Sequence, residues 1–180
     1  NTNRTVFSLS STGGGAACMP MLLTIPGASN CLMDCQVPYA RSALNQIFKR
    51  KTDGAVSAVT GAELAIYMRR RAYELLLEDT KDFNSLHNTN VLGISCTAAL
   101  VSFTPKKGAH RCHVACASSG GIVTYSLQLS KGARDREGED NVCSTLMIDA
   151  LLENSNNNND DNDVSDATSK KINTDEEDTQ

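Results

Sequence analysis

The residues that could do chemistry gather near the start of the chain. Ser10, Ser11 and Thr12 form a hydroxyl cluster, and three glycines, Gly13 to Gly15, follow directly. An apolar strand (Thr5 to Leu9) precedes them and an apolar helical run (residues 16–25) comes after. Glycines let a backbone approach a ligand, and the first turn of a helix offers unpaired N–H groups, so this order can cradle an anion. The spacing is not a dinucleotide fingerprint, and no Gly-Lys-Ser/Thr follows to make a P-loop. A further hydroxyl, Ser29, closes the turn Pro26-Gly27-Ala28-Ser29, and Tyr39 follows a second strand-like run, Cys31 to Val37. A serine becomes a nucleophile only where a base takes its proton. Read alone, Ser29 is a turn residue after Pro-Gly, and the glycines are equally an anion cradle or a turn without a ligand.

Other polar clusters are weaker. Arg69, Arg70 and Arg71 read as a solvated helix face, with phosphate contact as the alternative. In the group His110, Cys112, His113 and Cys116, strand alternation sends His113 to the face opposite the two cysteines. One strand therefore cannot present all four to a tetrahedral metal, and neither a metal nor a cofactor is expected. No Ser-His-Asp order with a nucleophile elbow is present. The seven cysteines include no Cys-x-x-Cys pair and sit mostly in apolar runs. They read as free core thiols in a reducing compartment, which points to an intracellular, cytoplasmic protein.

The elements that must position these residues can be followed along the chain. After the second strand, residues 41–49 read as a short helix ending in Lys49-Arg50-Lys51, favourable against the helix dipole. Thr60-Gly61-Ala62-Glu63 reads as a capping box, with Leu64, Met68, Ala72 and Leu75 on one helical face behind it. Asp79 to Asn90 is polar and reads as a loop; Val91 to Cys96 is a strand leading to Thr97. Arg111 to Ala117 and Ile122 to Leu129 are strands joined across Ser118-Ser119-Gly120-Gly121, a hairpin signal. After the charged loop 131–137, a last helix carries Val142, Leu146, Met147, Ala150 and Leu151 on one stripe. Interleaved strands and helices closing with a hairpin predict an α/β layered domain with a mixed sheet over residues 1–153.

Composition bounds the rest. The chain has 180 residues, 40% apolar, enough for one ordinary core. It begins at Asn1 rather than Met, as a piece of a longer chain would. No apolar run approaches the roughly 18 residues a membrane span needs. Residues 154–180 carry eight acids and two lysines, a net of −6, so the body is near +2 within the overall −4. That body has no basic stripe and few aromatics to stack on bases, so no nucleic-acid partner is expected. The Asn/Asp-rich residues 154–180 are predicted to be a disordered tail or linker.

The ordered set Ser10-Ser11-Thr12-Gly13-Gly14, Pro26-Gly27-Ala28-Ser29, Val37-Pro38-Tyr39 and Gly54-Ala55-Val56-Ser57 resembles the C-terminal domain of the competence/damage-inducible protein CinA. That family includes the nicotinamide-nucleotide amidohydrolases, and its pattern reads approximately ESCTGG, PGSS, YSNEAK, GAVS, TGIAG, GxR. The likeness spans about Thr5 to Leu152. It implies a three-layer α/β/α sandwich, with a helix ahead of the first strand that would precede Asn1. It implies hydrolysis of the carboxamide of nicotinamide mononucleotide, giving the acid nucleotide and ammonia. It assigns the nucleophile to Ser29 and a supporting hydroxyl to Tyr39. Ser10, Thr12, Gly13, Gly14, Thr97 and Arg134 are the substrate- and phosphate-binding positions it implies, with Arg136 the alternative to Arg134; Arg41 is added from its own charge, which can bind a phosphate or an oxyanion.

The sequence also departs from the pattern. The lysine that ends YSNEAK, the implied general base, is Leu44; the glutamate before the first serine is Leu9; and Ala98-Ala99 stand where TGIAG has glycines. Arg41 lies near the lost lysine, but a guanidinium stays protonated and cannot serve as a base. These losses fall on the site, as in eukaryotic relatives where a CinA-like domain precedes a nucleotidyltransferase-like one. Two functions are carried forward. One is an amidohydrolase-like enzyme acting on a small nucleotide. The other is a non-catalytic nucleotide-phosphate-binding or dimerising module of a larger protein, with homo-oligomerisation open.

Overall fold

Strand β1 (Arg4–Thr12) runs straight through the hydroxyl cluster, so Ser10, Ser11 and Thr12 belong to the strand and not to the loop after it. Alternation points Phe7 and Leu9 to one side and Val6, Ser8, Ser10 and Thr12 to the other. The remaining elements are α1 (Cys18–Leu23), a 3-10 turn (Ala28–Asn30), β2 (Leu32–Gln36), α2 (Arg41–Phe48) and α3 (Ala58–Asp79). Then come β3 (Thr89–Ala99), β4 (His110–Ser118), β5 (Gly121–Leu129), α4 (Arg136–Asn156) and β6 (Thr168–Ile172). The structure, a computed structural model, describes residues 4–80, 86, 88–105 and 107–156, and the backbone of 168–172.

The sheet order is β2-β1-β3-β4-β5-β6. Strands β1, β2 and β3 are parallel, β4 is antiparallel to its neighbours, and β6 lies parallel to β5. Helix α4 and the start of α1 cover one face, where Phe7, Leu9, Ile94, Val114, Leu127 and Met147 belong to one buried cluster. Helix α3 covers the other, packing Ala72 and Leu76 on Val6 and Val91, and Ala65 on Ala115 and Ala117. The result is the expected α/β sandwich with a mixed sheet.

The α3 face of the sheet is paved with small residues because the helix sits close. At Gly93 an added Cβ would lie 2.1 Å from the Ala65 carbonyl oxygen and 2.2 Å from the Arg69 backbone nitrogen. Only glycine fits there.

Several expected boundaries move. The N-cap of α3 is Ser57, whose side chain accepts from Thr60 N–H at 3.0 Å; Thr60 lies inside the helix and Glu63 pairs with Arg50 instead. Two hydroxyl residues three apart both suit a cap, and the earlier one takes it. Leu76 rather than Leu75 continues the buried stripe. Helix α4 runs on through Asn154, Ser155 and Asn156, which the composition assigned to a disordered tail. Asn154 is buried and donates to the Ala150 carbonyl at 2.7 Å, a contact that composition cannot reveal. Within the same tail, Thr168–Ile172 pair with β5. Main-chain pairing to a sheet edge does not require an apolar sequence. Residues 157–167 and 173–180 lie outside the described residues.

All seven cysteines are free; five are buried, while Cys31 and Cys35 are half-buried. Burial pushes the thiols of Cys18 and Cys116 up to about 12, and raises that of Cys35 as well. On grounds of exposure, a thiol reagent should label Cys31 and Cys35 in the native protein, with the other five, all buried, reacting only after denaturation. Rapid native labelling of more than these two would mean that the sulfur-rich core opens.

Candidate functional site

Because β1, β2 and β3 run parallel, their C-terminal ends form one edge of the sheet. Thr12 lies beside Thr97 in register, Gly13 and Gly14 follow Thr12, and Tyr39 and Arg41 follow β2. Strand β5 also ends at this edge, which brings Arg134 there, just ahead of α4. Ser29 is elsewhere. It is exposed in the 3-10 turn that precedes β2, at the opposite edge, where the Arg4 guanidinium donates to the Asn30 carbonyl at 2.9 Å. A hollow of about 250 Å³ beside it is lined by Arg4, Asp79 and Thr80 among others. Strand β1 separates the two edges by roughly 26 Å, at about 3.3 Å per residue. Ser29 and Tyr39 therefore cannot serve one reaction centre, and the pairing implied by the motif order is corrected. The reason is topological: a parallel β1-α1-β2 unit returns to the start of the sheet before β2 begins.

The glycine loop is held from within. Gly13 adopts φ +82°, and an added Cβ would lie 1.9 Å from the Ala98 carbonyl oxygen. Gly14 is buried, and its Cβ position faces Leu100 rather than solvent. The backbone N–H groups of Gly15 and Ala17 donate to the two carboxylate oxygens of Asp140, at 2.8 and 3.0 Å. Those amides head toward α1 and are the groups an anion would use; a side chain of α4 already uses them. Arg136 donates to the carbonyls of Gly13 (2.7 Å) and Val101 (3.1 Å). So Arg136, not the favoured Arg134, is the arginine that touches the glycine loop, and it binds carbonyls. Glu139, wholly buried, accepts from Val101 N–H at 2.7 Å and meets His110 Nδ1 at 2.6 Å. The first turns of α4 thus clamp two loops and the start of β4 at this edge. Sequence reading missed Asp140 and Glu139 because they lie far from the glycines along the chain; the acidic start of the last helix was the available signal.

On the α3 face a polar row crosses four strands in register: Thr12, Thr97, His113 and Ser126. Thr12 donates to the Pro38 carbonyl (3.2 Å) and Thr97 to the Ser57 carbonyl (3.3 Å). His113 Nδ1 meets Ser126 Oγ at 2.8 Å, and burial lowers the imidazole's pKa, favouring the neutral ring. Ser10 is fully buried, and its Oγ has no hydrogen-bond partner among the described residues. His113 is two strands away from β1, roughly 10 Å at strand spacing, too far to take the Ser10 proton directly. Leu44 sits on α2, 1% exposed. Tyr39 is 72% exposed, and Arg41 and Arg134 are also exposed. Cys112 and Cys116 are buried on the α4 face, away from His113, and no group of His, Cys, Asp or Glu among the described residues is arranged to hold a metal. No described helix is long and apolar enough to cross a membrane.

Neither a family model nor a curated protein matches the sequence. Solved structures do. The chain superimposes on a CinA superfamily protein from Escherichia coli with a TM-score of 0.62 and 16% identity, covering 84% of this chain and 80% of that one. It is as similar to a competence/damage-inducible protein from Agrobacterium tumefaciens, with a TM-score of 0.63, 15% identity, and coverage of 84% and 85%. A CinA superfamily protein from Klebsiella pneumoniae gives 0.62 at 14% identity, covering 86% and 88%. The fold is the CinA fold. At such identities the likeness carries architecture alone, so the CinA-like scaffold is secure and its chemistry must be read from this chain's own side chains.

Proposed function

We propose that this chain is a CinA-fold domain that does not turn over an amide and acts through its surface, as an assembly module of a larger protein. The observation that carries this reading is the Asp140 carboxylate on the Gly15 and Ala17 amides: the anion cradle is filled by the protein's own anion. The rest of the edge agrees. Thr12 and Thr97 are engaged with backbone carbonyls, Arg136 holds carbonyls, and the position of the implied base is a buried leucine. Ser29, the implied nucleophile, faces solvent at the other edge.

One observation favours a second reading, binding of a nicotinamide mononucleotide-like ligand without hydrolysis. The buried Ser10 hydroxyl has no hydrogen-bond partner among the described residues, and a group left so costs about 1–3 kcal/mol unless something answers it. Thermal melts with millimolar nicotinamide mononucleotide or phosphate separate the two. The assembly reading expects no shift in midpoint. A shift that disappears in Ser10→Ala would replace it with the binding reading, through linkage to the folded state.

A further inference from the structure

The two edges of the sheet carry opposite charge. Where β1 begins, the last turns of α3 and α4 bring Glu74, Glu78, Asp79 and Glu153. Where β1, β3 and β5 end, Lys107, Arg111, Lys131 and Arg134 are all exposed. Lys131 Nζ donates to the Lys107 carbonyl at 3.3 Å, which joins the loop before β4 to the loop after β5. Arg111 stands beside Gln128 of β5 in register. Among the described residues no carboxylate pairs with Lys107, Arg111 or Arg134. The acids next to them are set on the start of α4. Asp135 accepts from Gly138 N–H at 2.7 Å, and Glu137 lies in the first turn, where the helix dipole favours an acid. Cations gathered in this way favour an acidic occupant.

Strand β6 brings one to the same edge. It runs parallel to β5, so it ends at the basic edge, with Ile172 beside Leu127. The run Asp175-Glu176-Glu177-Asp178 begins three residues after Ile172. Three extended residues reach about 10 Å, and β4 lies two strand spacings from β6, again about 10 Å. The run therefore starts within reach of Arg111. The chain's other acidic stretch, Asp160-Asp161-Asn162-Asp163, is attached at the acidic edge, where α4 ends.

We propose that this basic edge is a binding surface for an acidic peptide segment, and that residues 175–178 of the same chain are its occupant, docked on Lys107, Arg111 and Arg134. Each such surface pair is weak alone. A segment already tethered at Ile172 escapes most of the entropy cost of meeting its site, so several weak pairs suffice. The inference goes beyond the assembly reading and holds whether or not Ser10 answers a nucleotide.

Zero-length carbodiimide cross-linking of the whole chain at low salt tests it, with tryptic peptides of the monomer mapped by mass spectrometry. The carbodiimide activates a carboxylate, a lysine amine displaces it as the urea, and an amide forms with net loss of water. Lys107 or Lys131 should be joined to a carboxylate of residues 175–178, with the yield falling several-fold in about 0.5 M salt. Arg111→Glu with Arg134→Glu, both exposed positions, should lower it as much with the circular-dichroism spectrum intact. Asp160→Asn with Asp161→Asn and Asp163→Asn should leave it unchanged. A labelled hexaglutamate peptide should bind the chain carrying Asp175→Asn, Glu176→Gln, Glu177→Gln and Asp178→Asn at least tenfold more tightly than it binds the wild type. Absence of the link, a link confined to cross-linked dimers, a link indifferent to salt, or equal hexaglutamate binding by the two chains overturns the proposal. Should the double arginine variant fail to fold, the salt and hexaglutamate results still decide it.

Discussion

Gly93→Ala is expected to cost more than about 3 kcal/mol, beyond the usual range for one added methyl group in a packed core. The added carbon would meet Ala65 O, Arg69 N and Arg69 Cα at 2.1, 2.2 and 2.7 Å, all backbone atoms of α3. A side chain can rotate away from such a contact; a helix backbone must move bodily. Moving α3 outward would loosen Val6, Ala72 and Leu76, and would break the 2.6 Å bond from Ser95 Oγ to the Gly61 carbonyl. A domain of ordinary stability, about 5–15 kcal/mol, would keep little reserve. Gly61→Ala supplies the contrast on the same helix. Its added carbon would come no closer than 3.5 Å to the His113 carbonyl oxygen. There the helix-propensity gain of about 0.5–1 kcal/mol is expected to leave stability equal or higher. Urea unfolding midpoints decide it: if Gly93→Ala unfolds within a few tenths molar of the wild type, α3 is not seated as closely as described.

Nicotinamide mononucleotide should be hydrolysed slowly or not at all. Loss of a general base typically costs roughly two to four orders of magnitude in rate, and the carboxylates described at this edge are already engaged, Asp140 on the Gly15 and Ala17 amides and Glu139 on Val101 N–H and His110. Arg41 stays charged, His113 is two strands from Ser10, and Leu44 is buried. Ammonia release measured on the wild type, Ser10→Ala and Ser29→Ala gives a clear outcome. Brisk release lost in Ser10→Ala would make the domain an enzyme with its nucleophile on β1; release lost in Ser29→Ala would restore the residue the motif order suggested. The reverse substitution, Leu44→Lys, has a worked sign. A lysine buried there has its pKa depressed below about 10.4, because burial disfavours the charged form. The penalty is full below the depressed folded-state value and fades as pH rises toward the unfolded one. The variant should therefore be least stable near neutrality, by about 1.4 kcal/mol per unit of depression, and should recover in alkali. A pH-independent midpoint would mean that the lysine reaches solvent.

The layered fold was legible because its signals are local. Alternation along β5, the hairpin dipeptide and the apolar stripe of α4 each follow from neighbours in sequence. The strand ends were less legible. Ser10 to Thr12 and Thr97 to Ala99 are small or hydroxyl-bearing, so they look like loop, yet the sheet extends through them because α3 needs a shallow floor. The site was partly legible. By strand direction Ser10, Thr12, Gly13, Tyr39, Arg41, Thr97 and Arg134 fall toward one edge of the sheet, spread from β2 to β5, while Ser29 is displaced by chain direction, which motif order does not encode. Asp140 acts across a separation of 125 residues from Gly15, and no short motif could announce it.

That carboxylate has a consequence for any anion offered to the loop. A ligand tethered to its own binding groups acts at an effective concentration of millimolar or more, set by geometry rather than by solution. Free phosphate at cellular levels competes against that figure and not against empty amides. Occupancy of the loop by an outside anion is therefore expected to depend first on what loosens the first turns of α4, which carry Arg136, Glu139 and Asp140, and only second on the intrinsic affinity of the ligand.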